Sequence, residues 1–277
     1  MDDKVTLPSL QRMKRQGRKI VGVVAWDYQL AKVVDRAGVE IVSVGDSVGV
    51  NLWGHSNPLE VTMEQMLLVC QAVRRGVSRA LLSVDFPFGP LQEGADGAVR
   101  AAIRLVKEAG ADLVKLDGAA DFPEAVSAVV RAGIPVWAQF GITPQTALRY
   151  GIEYDAMSAQ GAQVPVKMQD ELIADAKRLQ DAGASLLNFT NSGPTVGPEV
   201  AKAVSIPVLG GFGGGPWLDG RIRMANAAIG YAAATLETVS DTYADVARIA
   251  LDAVSAYAAD VRAGRQIKGG IPIAPAD

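Results

Sequence analysis

Two residue types that dominate metal and redox chemistry are almost missing from this 277-residue chain, which has one cysteine and one histidine. A single cysteine excludes an intramolecular disulfide framework, and a single histidine excludes a site built from several imidazoles. Aromatic residues make up only 6% of the chain against a hydrophobic fraction of 49%. The core must therefore come from Val, Ala, Leu and Ile, which suit closely packed β/α layers. No apolar run is long enough to span a bilayer, and residues 1–19, MDDKVTLPSLQRMKRQGRK, hold no apolar segment of the signal-peptide kind. Lys and Arg are scattered, and a formal charge of −3 argues against a nucleic-acid or anionic-membrane surface. These absences leave a cytoplasmic globular protein whose partner is a small molecule.

What is present is a repeated phrase, Ala-Gly followed at once by an apolar run. It occurs in AGVEIVSVG (37–45), AGADLVKLDG (109–118), AGIPVWAQFG (132–141) and AGASLLNFT (182–190). Each follows a segment of helical period, such as AVRAAIRLVKEAG (98–110). Glycine in a left-handed cap stops the helix and a buried strand begins, the pattern of parallel βα units. Strands are expected at 20–26, 40–45, 80–85, 112–117, 134–140, 185–190 and 206–211, with a weaker eighth at AAIGYAA (227–233).

Eight strands without a linker predict an α/β fold, one (β/α)8 TIM barrel over residues 1–277. An open doubly wound sheet would show a Gly-rich turn after its first strand, whereas here that strand ends in Trp26-Asp27. Two connections, 45–62 and 141–168, are long for βα loops and belong where lids and binding segments sit. The last helix, near 241–263, carries an apolar stripe of Val246, Ile249, Ala250, Ala253, Val254 and Tyr257. It packs either as the final barrel helix or on a neighbouring subunit.

Asp27, Asp46, Asp85 and Asp117 each close one of the first four strands, and in a barrel those ends converge on one mouth. Strand-end aspartates also cap helices, but four in succession, with Lys115 two residues before Asp117 and on the same side of its strand, suggest chemistry. Carboxylates crowded together need a cation, and a hard divalent ion such as Mg2+ with oxygen ligands meets that need. Lys115 would hold a substrate carboxylate or an enolate oxygen.

VGDSVGVNLWG (44–54), LEVTMEQMLLVCQAVRRG (59–76) and RALLSVDFPFG (79–89), followed in order by VKLDG (114–118), IPVWAQFGITPQ (134–145) and SIPVLGGFGGG (205–215), resemble the ketopantoate hydroxymethyltransferase family. The resemblance implies a barrel of the phosphoenolpyruvate mutase and isocitrate lyase superfamily, and a homo-oligomer, a decamer in the family. It implies metal binding by Asp46, Asp85 and, through a bridging water, Asp117, and substrate binding by Ser47, Lys115 and the residue at Gln139, with Asp46 and Asp85 also among the substrate-binding residues. It also implies a pantothenate-pathway type of chemistry. A 2-oxo acid chelates Mg2+, loses its C3 proton, and attacks a one-carbon unit from 5,10-methylenetetrahydrofolate.

Three positions depart from the family. Asp117 stands for a Glu and Gln139 for a His, replacing a proton carrier by a group that is not one. The third departure concerns the base: the family's glutamate after the sixth strand falls near Thr190, and no Asp or Glu occurs between Asp181 and Glu199. A general base needs reach and a suitable pKa, which Thr does not supply. Three readings follow. The first is hydroxymethyl transfer with the base taken over by another group or by metal-bound hydroxide, with Lys115 and Asp117 as the catalytic pair. The second is a lyase that cleaves a 2-oxo acid by retro-aldol or decarboxylation, and the third an inactive binding paralogue.

Other residues are expected to be structural. The run GGFGGGP (210–216) reads as a tight turn before it reads as a phosphate cradle. His55 is expected to be solvated or packed, Cys70 lies on a core face with Met66 and Val73, and Trp26 and Trp53 pack at the rim or wall the pocket.

Overall fold

The computed structural model describes residues 3–158, 163–237 and 241–270. By their internal contacts residues 1–223 and 224–277 form two compact units. Eight parallel strands close into a barrel in sequence order. They are β1 (Ile20–Val24), β2 (Ile41–Val44), β3 (Leu81–Asp85), β4 (Leu113–Leu116), β5 (Val136–Gly141), β6 (Leu186–Thr190), β7 (Val208–Gly210) and β8 (Gly220–Met224). Helix α1 (Leu7–Arg15) precedes the barrel. The strands are connected through α2 (Tyr28–Arg36), α3 (Val48–Trp53) with α4 (Met63–Gly76), α5 (Ala95–Ala109), α6 (Pro123–Arg131), α7 (Gln169–Asp181) and α8 (Val196–Ala203). The second unit holds α9 (Ala225–Ile229) and α10 (Val246–Arg262).

The repeated glycines do what the phrase predicted. Gly38, Gly110, Gly133 and Gly183 all adopt positive φ, between 73° and 96°, where a side chain would be strained. Outside the barrel wall, Val42, Val44, Leu82, Val84, Val114, Leu116, Leu187 and Val208 are fully buried under the helices. Small helix residues, Ala31, Ala98, Ala102, Ala125 and Ala176, let those helices lie close and are themselves wholly buried. Cys70 is in this layer, and burial pushes its thiol up to about 12.

The eighth strand is a correction. AAIGYAA does not form it: residues 225–229 are helical, and the strand is GRIRM at 220–224. Its outward residues Arg221 and Arg223 are exposed while Gly220 and Ile222 are buried. No α-helix stands between β7 and β8, so this strand alternates apolar and polar instead of reading as a continuous apolar run.

The end of the barrel where the strands begin is pinned by carboxylates that accept strand amides. Asp35 accepts from the backbone of Ser78, Arg79 and Ala80 at 2.8–3.2 Å. Asp112 accepts from Leu82 N at 2.9 Å, and Asp219 from Val208 N at 2.8 Å. Each fixes where a strand starts, and so the register at the opposite end.

Candidate active site

Strand pairing fixes which residues face into the barrel. Asp85 pairs with Lys115, Lys115 with Trp137, Gln139 with Asn188, and Gly141 with Thr190. Paired residues in a parallel sheet share a face. Gly45 belongs to that face, since a Cβ there would lie 3.7 Å from Asp85 Oδ2 and 2.9 Å from Ser47 Oγ. Asp46 and Asp117 follow immediately on the ends of β2 and β4. Asp46, Asp85, Lys115, Asp117, Gln139 and Thr190 are all buried.

The contacts make one cluster. Lys115 Nζ donates to Asp85 Oδ2 at 2.7 Å and lies 5.7 Å from the Trp137 ring centroid. Gln145 Nε2 donates to Asp46 Oδ2 at 2.8 Å and to Phe86 O at 3.1 Å, while its backbone N–H reaches Asp117 Oδ2 at 3.3 Å. Gln139 Nε2 donates to Thr190 Oγ1 at 3.0 Å. Ser47 begins α3 without a capping bond from its side chain, and its Oγ stands against the Gly45 face.

Three carboxylates share this space with one ammonium, and their protonation shows the strain. Burial, then the charges of Asp85 and Asp117, push Asp46 up to about 7 against the pull of Lys115 and Gln145. Burial pushes Asp117 up to about 6, opposed by the Thr143 hydroxyl, Lys115 and the Gln145 amide. Burial would lower Lys115, but Asp85 and Asp46 outweigh it and hold the amine above its ordinary value. Asp85 Oδ1 and Asp117 Oδ1 are buried without a hydrogen-bond partner. Two orphan carboxylate oxygens beside a proton-hungry aspartate are the donor set that a hard cation satisfies. Among the described residues no three Asp, Glu, His or Cys side chains are gathered tightly enough to hold an ion alone, so part of its shell would be substrate or water.

Asp27 is not in the cluster. It is exposed and caps α2, accepting from Leu30 N at 2.8 Å. Two β-strand ends differ only in whether the chain turns inward or into a helix, a choice the local sequence does not announce.

Gln145 is a residue that pattern reading missed as a ligand-organising group. Its signal was the ITPQ turn, which brings one residue to both aspartates, its side chain to Asp46 and its backbone N–H to Asp117. Tyr154 is a second: it packs edge-on to Phe212 at 6.1 Å, and burial followed by the charges of Asp46 and Asp85 holds its phenol above the ordinary value. The loop 141–168 thus reaches the mouth, although residues 159–162 lie outside the described residues.

The glycine run after β7 is explained by packing. Gly213 has φ +61° and its Cα faces the Asn191 backbone, 2.7 Å from where a Cβ would be, and Gly215 is pressed on Trp217. Asn191, next to Thr190, is the one non-glycine at positive φ among the described residues. His55 packs on Gly49, its Nδ1 buried and unpartnered, with Trp53 6.0 Å away. Trp26 is buried at the end of β1.

Comparison with known proteins agrees with this geometry. The model of the ketopantoate hydroxymethyltransferase family matches residues 4–266. A relative named 3-methyl-2-oxobutanoate hydroxymethyltransferase in Salinibacter ruber is 38% identical over 259 residues, 94% of this chain and 95% of its own. One of the same name in Cyanothece sp. is 37% identical over 93% of this chain and 96% of its own. Among solved structures, 2,3-dimethylmalate lyase, a PEP mutase/isocitrate lyase superfamily member, superposes with a TM-score of 0.60 at 15% identity, covering 97% of this chain and 92% of that one. Phosphonopyruvate hydrolase, solved with oxalate and Mg2+, gives 0.58 at 15% identity over the same shares. At such identity these two show the fold alone, whereas the family match and the sequence relatives run nearly end to end: this chain belongs to the ketopantoate hydroxymethyltransferase family.

Proposed function

We propose that this protein transfers a hydroxymethyl group to C3 of a 2-oxo acid, with Mg2+ held by Asp46 and Asp85 and with Asp117 beside them. The observation that carries the reading is the inward cluster at the barrel mouth: three buried carboxylates, two orphan carboxylate oxygens and one buried ammonium. Mg2+ in that place would draw charge from the oxygens of the 2-oxo acid and acidify its C3 proton. Lys115, kept protonated by its carboxylate neighbours, offers a fixed positive charge to the substrate's carboxylate or to the oxygen on which charge develops. Ser47 Oγ adds a hydrogen bond from the β2 side. Gln145 holds Asp46 and Asp117 in place. Gln139 and Thr190 satisfy each other and carry no proton at neutral pH. The proton acceptor in this reading is Asp117, a buried carboxylate beside the metal aspartates whose Oδ1 has no hydrogen-bond partner. The one-carbon donor is 5,10-methylenetetrahydrofolate, the reaction is cytoplasmic, and the chain works as a homo-oligomer, with a decamer as the expected size.

Proton NMR of 2-oxo acids in D2O with Mg2+, starting from 2-oxoisovalerate, tests the reading. Metal-dependent loss of the C3 proton signal, and a hydroxymethylated product once methylenetetrahydrofolate is added, is the expected result. Binding of a 2-oxo acid with no C3 exchange from any of them would sink it.

One observation favours a second reading. The β6 end presents Thr190 bonded to Gln139 where the resemblance places a base. A lyase that removes a carboxylate from C3 of a 2-oxo acid leaves the electron pair on the enolate of the C2 keto group, and needs that electron sink but no base at C3. Release of CO2 or of an aldehyde without exchange would identify it.

A further inference from the structure

The mouth of the barrel is charged on one side only. In a closed ring of eight strands β7 stands across from β3, and β6 across from β2. Asp46 and Asp85 stand at the ends of β2 and β3, with Lys115 and Asp117 at the end of β4. Residues 191–198 and 211–218, which follow β6 and β7, include no charged side chain. A substrate anion held by the charged side therefore faces an uncharged rim.

One side chain crosses from that rim. Tyr154 begins the short turn Tyr154–Ser158 in the loop after β5. Its ring packs edge-on against Phe212, with centroids 6.1 Å apart and planes at 86°. Phe212 lies two residues beyond β7, and its carbonyl accepts from Asn191 N at 2.7 Å, beside the end of β6. The same loop returns to this rim where Val164 N donates to Asn191 O at 2.8 Å. The ring is thus anchored on the β6–β7 side, yet the carboxylates whose charge its phenol feels are Asp46 and Asp85, on the side opposite. A phenol anchored at one rim and sensing the charges of the other reaches over the opening.

That phenol is available. Tyr154 makes no side-chain hydrogen bond to any described residue. Its oxygen is not among the buried polar atoms that lack a partner either, so it is open to whatever occupies the mouth. Burial and the two carboxylates keep it a phenol rather than a phenolate, and a phenol can donate. Three carboxylates already crowd the site, and a neutral donor adds no further negative charge to it.

We propose that Tyr154 is a substrate-contacting residue whose hydroxyl donates a hydrogen bond to an oxygen of the bound 2-oxo acid from the uncharged side of the mouth. This deepens the proposed function and rests on it. Lys115 meets the substrate from the barrel wall, and Tyr154 meets it from the loop above. The phenol keeps its proton throughout and steadies negative charge on the substrate oxygen.

Tyr154→Phe keeps the ring on Phe212 and removes only the hydroxyl. Calorimetry gives the affinity of Mg2+ alone, and then of 2-oxoisovalerate and of oxalate with Mg2+ present. Oxalate serves as a planar, doubly charged stand-in for the enolate. Tyr154→Phe should weaken oxalate binding by about tenfold or more, the fold-change that goes with a hydrogen bond to a charged group. It should slow C3 exchange of 2-oxoisovalerate by a similar factor and leave Mg2+ affinity within about twofold, which also shows that the mouth is folded. Unchanged oxalate affinity and unchanged exchange overturn the proposal and make Tyr154 a packing residue of the rim. An equal loss of affinity for Mg2+ alone overturns it too, since the hydroxyl would then act on the carboxylates. A wild-type protein that binds neither oxalate nor 2-oxoisovalerate with Mg2+ overturns the functional reading and this proposal together, an outcome distinct from the other two.

Discussion

At the scale of single residues, the site works by crowding. Asp46 and Asp85 are the expected metal ligands, and replacing either by Ala should weaken Mg2+ binding by more than about tenfold, the lower end of what losing even an outer partner costs. Titration calorimetry reads this directly, and unchanged affinity in both variants would remove the metal site. Lys115→Ala should lower kcat/KM by about 100-fold or more, the range for losing one aimed donor to developing charge. The crowding also has a pH signature. Asp46 is raised in the fold to about 7, well above an unfolded aspartate near 3.9. Its folded form therefore favours the proton, and the stability it contributes is complete at low pH and lost as pH rises from about 4 through about 7. Without metal, Asp46→Asn should gain stability relative to the wild type on going from pH 5 to pH 8 in urea melts. Added Mg2+ should reverse that trend for the wild type alone.

Secondary elements fix where those residues stand. The chain reaches β3 through the end of α2, where Asp35 gathers the backbone N–H groups of residues 78–80 and the Ser78 hydroxyl. Burial alone would raise this carboxyl, but the hydrogen bonds from Ala80, Ser78 and Arg79 together hold it below the ordinary value. An amide offers one acceptor oxygen where the carboxylate offers two, so Asp35→Asn should cost about 1–3 kcal/mol by urea unfolding. Because the folded value is depressed, this stability is present above about pH 4 and fades on further acidification. Loss of the clamp would loosen the start of β3, and Asp85 sits at that strand's far end. Position within an element also separated the aspartates. Asp46, Asp85 and Asp117 turn into the barrel, while Asp27, equally a strand-end aspartate, was drawn off to cap α2.

At the scale of the whole molecule, α10 leaves Ile249, Val254, Tyr257 and Val261 exposed on an otherwise helical-period stripe. Such apolar exposure on one helix fits self-association. Light scattering after size exclusion should give a mass that is a multiple of 29.0 kDa, and Tyr257→Glu or Val254→Glu should lower it. A monomer at micromolar concentration would count against the oligomer.

The local sequence determined a good deal here. Helix–Gly–strand repeats fixed the parallel βα order because a left-handed glycine and a β-branched run impose their conformations without help from afar. Strand ends placed Asp46, Asp85, Lys115 and Asp117 at one mouth because side chains alternate along a strand. Where the sequence ran out, contacts between distant segments had decided the outcome. GRIRM is a strand because it closes the barrel between β7 and β1, and its polar outward face hid it. Gln145 bridges Asp46 and Asp117 across residues remote in sequence. Ser43, Ser83, Trp137 and Asn188 face the barrel interior because strand pairing turns them there. Local propensity is a property of neighbours along the chain, whereas a binding surface is a property of neighbours in space.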